Sequence, residues 1–248
     1  MRCAPFVLAI LMWAVPAVAQ APTDMAVCRP ESETPDQRIE ACTKAMESPL
    51  YTQPAQLDAQ VHRGKAWRDK QNFEKAIADF QHVADASPRH FGEALLEWGV
   101  TLRRMNRLEE AVAILERASS PSGRSHYEKG LALADLILHR QAVTAFDVAI
   151  LTNHNYGAAY FQRGIAWYRL GDEARAMEDW SDTIRLGGDE AADAHVRRGD
   201  NWLRKREWNR AALEYESALK LRPHHADARQ GRDQVLRDAP ELPRRERR

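Results

Sequence analysis

The chain has 248 residues, 44% of them apolar, with 36 Lys and Arg balanced by 36 Asp and Glu. A formal charge of zero supplies no global field to attract nucleic acid, and the apolar share supports one sizeable core or one extended array. Gly and Pro are sparse while Ala, Leu, Glu and Arg are common, a composition that favours helix.

Residues 1–19 stand apart. Arg2 precedes an apolar run from Phe6 to Val15, Pro16 interrupts it, and Ala17-Val18-Ala19 is a small-x-small sequence. The pattern is that of a secretory signal cleaved near Ala19, which predicts a periplasmic or secreted protein. The alternative is an uncleaved anchor, but the run of about ten residues falls short of the roughly twenty a spanning helix needs. No later stretch is apolar enough to span a membrane.

Residues 20–54 carry Cys28 and Cys42, the cysteines that remain once Cys3 is removed. Two cysteines in an exported chain predict one disulfide. The alternative is a pair of free thiols, with Cys42 simply buried in a helix. Cys28 lies beyond the cleavage pattern, so lipid attachment is not expected.

From residue 55 to 223 a spacing recurs. Gly64, Gly99, Gly130, Gly164 and Gly199 are separated by 35, 31, 34 and 35 residues. Three residues after each comes a large apolar side chain: Trp67, Leu102, Leu133, Trp167, Trp202. Twelve after each comes Ala, and four further on another large side chain: Phe80, Leu115, Phe146, Trp180, Tyr215. Gly costs a helix about 1 kcal/mol relative to Ala, so five mid-helix glycines in register need a packing reason. Two antiparallel helices supply it: the missing side chain admits the second helix, Ala keeps the facing surface small, and the large residues fill the gaps. Gly171-Asp172 marks the turn, Gly ending the first helix in a left-handed conformation and Asp capping the second. Asn106 does the former job in its unit. The interval of 31 around Ser119–Ser125 predicts a clipped helix end and a local change in stacking.

Both ends look like caps. Asp36–Pro49 is similar to the second helix of a unit, with Cys42 where Phe80 or Phe146 would sit, so a bond to Cys28 would pin the preceding segment over the first repeat. Residues 224–238 predict a polar final helix of the kind solenoids need at their ends. Residues 239–248 look like a frayed basic tail, solvated rather than in contact with an acidic partner or lipid headgroups.

The spacing resembles the tetratricopeptide repeat, a 34-residue helix–turn–helix unit, over five units and most of the chain. The resemblance implies an all-α, right-handed superhelical solenoid without catalytic activity, whose first helices line a concave groove that holds an extended or helical peptide. The aromatic that the family places four residues before the Gly is met by Tyr160 and partly by His195; Gln60, Leu95 and His126 depart from it. Helix geometry then selects the side chains facing the groove. Tyr127, Leu131, Phe161, Ile165 and Tyr168, with Leu96 and Val100, form an apolar strip, and Lys65, Arg68, Arg103, Arg104, Arg169, Arg197 and Arg204 surround it. An apolar patch with a basic rim, and Tyr and Arg in it, marks a binding surface. The competing reading is packing between units, strongest for Leu131 and Ile165. It is weaker for Tyr127, Phe161 and Tyr168, because the core places beside them are taken by Leu133 and Trp167. A Lys–Asn–Arg clamp for chaperone C-termini is not met: the matching places hold Val61, Lys65, Glu97 and Val100.

Nine histidines form no paired metal motif, and His224 and His225 diverge on a helix. No nucleophile elbow, phosphate loop or dinucleotide motif appears, and charges such as those of Arg107–Ala118 are spaced for i,i+3 and i,i+4 pairs on a solvated face. The sequence therefore predicts no enzyme, cofactor or metal. The export pattern and the repeat resemblance together imply an exported scaffold that binds a protein or peptide segment, and the resemblance to short exported repeat proteins with this Cys-x13-Cys start implies an adaptor or assembly factor of a bacterial cell envelope. Two alternatives stand beside it: a homo-oligomeric structural protein, and the regulatory subunit of an envelope enzyme complex.

Overall fold

A computed structural model describes residues 23–29, 33–118 and 120–240. The expected signal, residues 1–19, lies outside the described residues, as do residues 241–248 of the tail. Thirteen helices and no strand occur among the described residues: α1 (Thr23–Cys28), α2 (Pro35–Glu47), α3 (Gln53–Asp69), α4 (Phe73–Ala86), α5 (Phe91–Arg104), α6 (Leu108–Arg117), α7 (Arg124–Asp135), α8 (His139–Thr152), α9 (Gly157–Arg169), α10 (Glu173–Leu186), α11 (Ala191–Arg204), α12 (Trp208–Leu221) and α13 (Ala226–Asp238). Helices α3 to α12 form five antiparallel pairs, each packed on the next, in an all-α superhelical solenoid.

The turn inside each pair repeats. Gln71, Asn106, Ile137, Gly171 and Arg206 occupy one position in the five units, and all have positive φ, between 59° and 84°. The next residue then donates its N–H to the carbonyl three residues after the unit's Gly, at 2.9 Å in every unit, which satisfies an orphan carbonyl of the first helix. Gly171 and Asn106 take the left-handed conformation the sequence assigned them. Asp172 accepts from the Arg175 N–H at 3.0 Å, as its place at the N-cap requires.

The glycines are the places of closest approach. A Cβ built on Gly64 would lie 2.6 Å from the Phe80 ring, on Gly99 2.4 Å from Leu115, on Gly130 2.5 Å from Phe146, on Gly164 2.6 Å from Trp180 and on Gly199 2.7 Å from Tyr215. Ala76, Ala111, Ala142, Ala176 and Ala211 are fully buried beside them. The register also extends further than the sequence suggested: Gly231 in α13 approaches the Tyr215 ring from the next layer, where a Cβ would meet it at 2.3 Å. The tryptophans three residues after Gly have their own partners. Lys75, Arg175 and Arg210, from the first turn of the second helix, lie over Trp67, Trp167 and Trp202 at 4.4, 3.9 and 4.7 Å.

The short interval appears as a shortened helix. Helix α6 has 10 residues, where α4, α8, α10 and α12 each have 14.

At the N-terminus, α2 takes the place of a second helix, starting at a Thr34–Gln37 capping box. Cys42 and Cys28 are joined by a disulfide, both fully buried against Ala41, Ala45 and Ala59. Helix α1 has only six residues and cannot hold itself in place by propensity. Reduction, or Cys42→Ser with Cys28→Ser, is therefore expected to cost about 3 kcal/mol for a loop of this size. Chemical unfolding with and without reductant measures it; coincident curves would show that packing alone holds α1.

Candidate functional site

First helices of successive units pack directly on one another, α3 on α5, α5 on α7 and α7 on α9, and no comparable packing joins successive second helices. The stack therefore curves with its first helices inside, and their free faces line the concave surface. That surface has two halves of different chemistry.

In the first half the charges neutralise one another. Glu97 is 1% exposed and takes Arg68 at 2.6 Å, Arg124 at 3.1 Å and Lys65 at 3.5 Å, which ties the first three units together. Burial alone would raise its carboxyl pKa, but Lys65, Arg68 and Arg124 hold it below the ordinary carboxylate range. Lys65 also reaches Glu93 at 3.1 Å. Arg103 bridges Glu128 at 3.4 Å and Asp135 at 3.2 Å. These cations form no open basic rim, and Val61 and Val100, two of the clamp positions, are buried.

The second half is aromatic. Tyr127 lies 4.9 Å from Tyr156 and 5.9 Å from Phe146, centroid to centroid. Tyr168 lies 5.7 Å from Trp180, with the Arg204 guanidinium over its ring at 5.1 Å. Half-buried Leu131 and Ile165 fill the surface near them. Arg204 pairs with Glu173 at 2.7 Å, while Arg169 is exposed. Burial first, and Glu128 second, push the Tyr156 hydroxyl up to about 12; burial and Tyr156 push Tyr127 in the same direction. Both hydroxyls are neutral at any physiological pH, so this surface offers rings and uncharged O–H groups.

Two expected groove residues are corrected. Phe161 is 8% exposed, packed against Ala176, Trp180 and Ala194, and Leu96 is 5% exposed. Each sits where the first helix meets the next unit, so the side chain is consumed by stacking. Tyr127, Leu131, Ile165, Tyr168, Arg103, Arg169 and Arg204 keep accessible surface on the inner side. Two contributors were not among the predicted residues. Tyr156 precedes α9, outside the Gly register, so helical spacing could not select it. Glu97 stood in the sequence as an acid inside the apolar stretch Ala94–Val100, which was the available signal.

Three of the nine histidines face carboxylates: His90 faces Asp58 at 3.1 Å, His195 faces Glu214 at 2.7 Å and His225 faces Asp193 at 2.9 Å. Among the described residues no cluster of His, Cys, Asp and Glu is placed to hold a metal ion. Among them too, no helix is long and apolar enough to cross a membrane.

No protein-family model and no curated protein matches the chain. Solved structures do. The structure titled functional characterization of Pseudomonas aeruginosa pilF aligns with a TM-score of 0.65 at 18% identity, over 81% of this chain and 90% of that one. YrrB, titled a TPR protein with an unusual peptide-binding site, aligns with a TM-score of 0.57 at 21% identity, over 79% and 99%. MamA aligns with a TM-score of 0.50 at 24% identity, over 70% and 92%. At these identities the likeness is one of fold.

Proposed function

We propose that this tetratricopeptide-repeat solenoid is a non-enzymatic scaffold that holds a segment of another protein against the second half of its concave surface. The observation that carries the reading is the strip of Tyr127, Leu131, Ile165 and Tyr168. Its side chains are half-buried by their own units and face the inside of the curve, with Arg169 and Arg204 at its edge. Rigid rings beside guanidinium groups form contact surfaces of high energy per residue. YrrB is titled as a protein with a peptide-binding site, which supports a peptide-binding reading of this fold. The export pattern of residues 1–19 favours an adaptor or assembly factor in the bacterial periplasm.

The test is affinity capture of the chain's partner from its own envelope extract, followed by titration of the captured protein. Tyr168→Ala is expected to weaken binding by about 2 kcal/mol, roughly thirtyfold, with the chain still folded and its thermal melt lowered only modestly, since Tyr168 is half-buried beside Trp180. Arg169→Glu is expected to weaken it without touching the fold. Phe161→Ala is unsuitable as a probe because it would unfold the unit. If Tyr127→Ala and Tyr168→Ala both bind as the parent does, the interface lies elsewhere. If the captured protein is an enzyme whose rate changes on binding, the regulatory-subunit reading replaces that of an adaptor.

A further inference from the structure

The concave strip carries a surplus of charge at each end, and the two ends differ in sign. The row of residues that closes the first helices sets this up. It reads Asp69, Arg104, Asp135, Arg169 and Arg204, the last residues of α3, α5, α7, α9 and α11. Through the first three units the signs alternate and neighbours neutralise one another: Arg104 faces Asp69 at 3.8 Å, and Asp135 takes Arg103 at 3.2 Å. At Arg169 the alternation stops, and two arginines follow in succession.

At the Tyr168 end cations are therefore in excess. Arg204 and Lys205 share one carboxylate, Glu173, at 2.7 and 2.8 Å. Arg169 is exposed and has no carboxylate partner among the described residues. Other charges nearby cancel: Asp172 holds Arg175 at 2.7 Å, and Arg197 stands 4.0 Å from Asp200. At the Tyr127–Tyr156 end acids are in excess. Glu128, its side chain 12% exposed, shares Arg103 with Asp135. Glu190, just before α11, is half-buried without a cation partner among the described residues, and its field reaches both tyrosine hydroxyls. Arg124 also acts on Tyr156, but it is spent on buried Glu97.

Three carboxylates with one guanidinium thus face three cations with one carboxylate, across a strip of rings and aliphatic side chains. Water satisfies a single unpaired surface charge. Opposite surpluses at the two ends of one apolar strip describe a complementary ligand. We infer that the segment held there is itself dipolar, with a Lys or Arg at the Tyr127–Tyr156 end, an Asp or Glu at the Tyr168–Arg169 end and apolar side chains between. The inference rests on the proposed reading of the strip as a binding surface and adds the chemistry of its ligand. The register sets the spacing. Tyr127 stands three residues before its Gly, and Tyr168 four after the Gly of the next unit. That is about seven positions of 1.5 Å along the axis and one helix spacing of about 10 Å across, roughly 14 Å in all. An extended segment covers it in about four residues, and a helical one in about nine.

The experiment pans a display library of random dodecapeptides on the purified chain. Recovered peptides are synthesised with blocked ends, so that only side chains carry charge, and are titrated against the parent and Tyr168→Ala. Those that lose affinity in Tyr168→Ala occupy the strip. They are expected to carry one basic and one acidic residue at one of the two spacings. Arg169→Gln is expected to weaken them about three- to fivefold, the range of an exposed ion pair. The loss is expected to vanish when the peptide's acid is replaced by its amide, as a double-mutant cycle requires of a direct pair. Glu190→Gln is expected to behave in the same way toward the peptide's basic residue, tested by its replacement with Gln. Both positions lie outside the core, so each variant is expected to melt as the parent does. Strip-bound peptides that lack the charge pattern, or that one of the Gln variants leaves unmoved, overturn the inference and leave the binding surface standing. A library that yields no peptide sensitive to Tyr168→Ala removes the binding surface itself, and the inference with it.

Discussion

Replacing Glu97 with Ala is expected to cost the fold about 3–5 kcal/mol, the range for removing one partner of a buried ion pair. The cost comes from what is left behind. The Arg68 side chain is 9% exposed and its guanidinium points at Glu97. Its Nε already has no partner, and without the carboxylate its remaining contact is the Glu97 backbone carbonyl at 3.5 Å. Lys65 keeps Glu93, and Arg124, at 43% exposure, turns to water. Arg68 alone is stranded, so a paired replacement, Glu97→Met with Arg68→Leu, is expected to recover most of the loss. Urea unfolding followed by circular dichroism measures all three chains. An Ala variant within about 1 kcal/mol of the parent would mean that water reaches Arg68 in the native state.

The same carboxylate sets a pH dependence. Its folded-state pKa lies below the unfolded value, about 4.3. Its stabilisation is therefore complete above that value and is lost as pH falls through the lower, folded one. The stability gap between the parent and Glu97→Gln is expected to be full at pH 7 and to narrow progressively below about pH 4.3. A gap that stays constant to lower pH would deny the carboxylate its role.

The repeat was legible because its cause is steric and local. A Gly that must face a ring recurs at a fixed distance from that ring, and Gly64 with Phe80 or Gly164 with Trp180 can be paired on the sequence without knowing the superhelix. The turn was legible for the same reason, since Gly171 and Asn106 carry the left-handed conformation in their residue type. Ile137 in the same place carries no such signal, and only the register of its neighbours reveals it. The inner surface was half legible. Helix geometry gives the direction of each side chain, and Tyr127 and Tyr168 keep part of their surface accessible. It does not give how deeply the next unit covers that direction, which is why Phe161 and Leu96 proved buried. Charge was the least legible part: Lys65, Arg68 and Arg103 look like a basic rim in sequence, and become a neutral lattice once Glu97, Glu93 and Glu128 are brought beside them by stacking.

Phe146→Ala is expected to cost about 3–5 kcal/mol, and its companion substitution tests the origin of the glycine register. Phe146 is fully buried in the middle unit, against Gly130 and Tyr127. Truncation leaves a cavity that the pair α7–α8 cannot close without moving both neighbours. In a solenoid each unit draws stability from its two interfaces, so damage at the centre uncouples the halves, and unfolding is expected to become two transitions where the parent shows one. Gly130→Ala in the parent is expected to destabilise as well, by about 1–3 kcal/mol of overpacking, because its Cβ would stand 2.5 Å from the Phe146 ring. In the Phe146→Ala background that ring is absent. There the same substitution is expected to stabilise, through the added methyl and through about 1 kcal/mol of helix propensity. The reversal of sign in a double-mutant cycle is the signature of direct steric exclusion between the two positions. Destabilisation of equal size in both backgrounds would show that the glycine is required for something other than its ring.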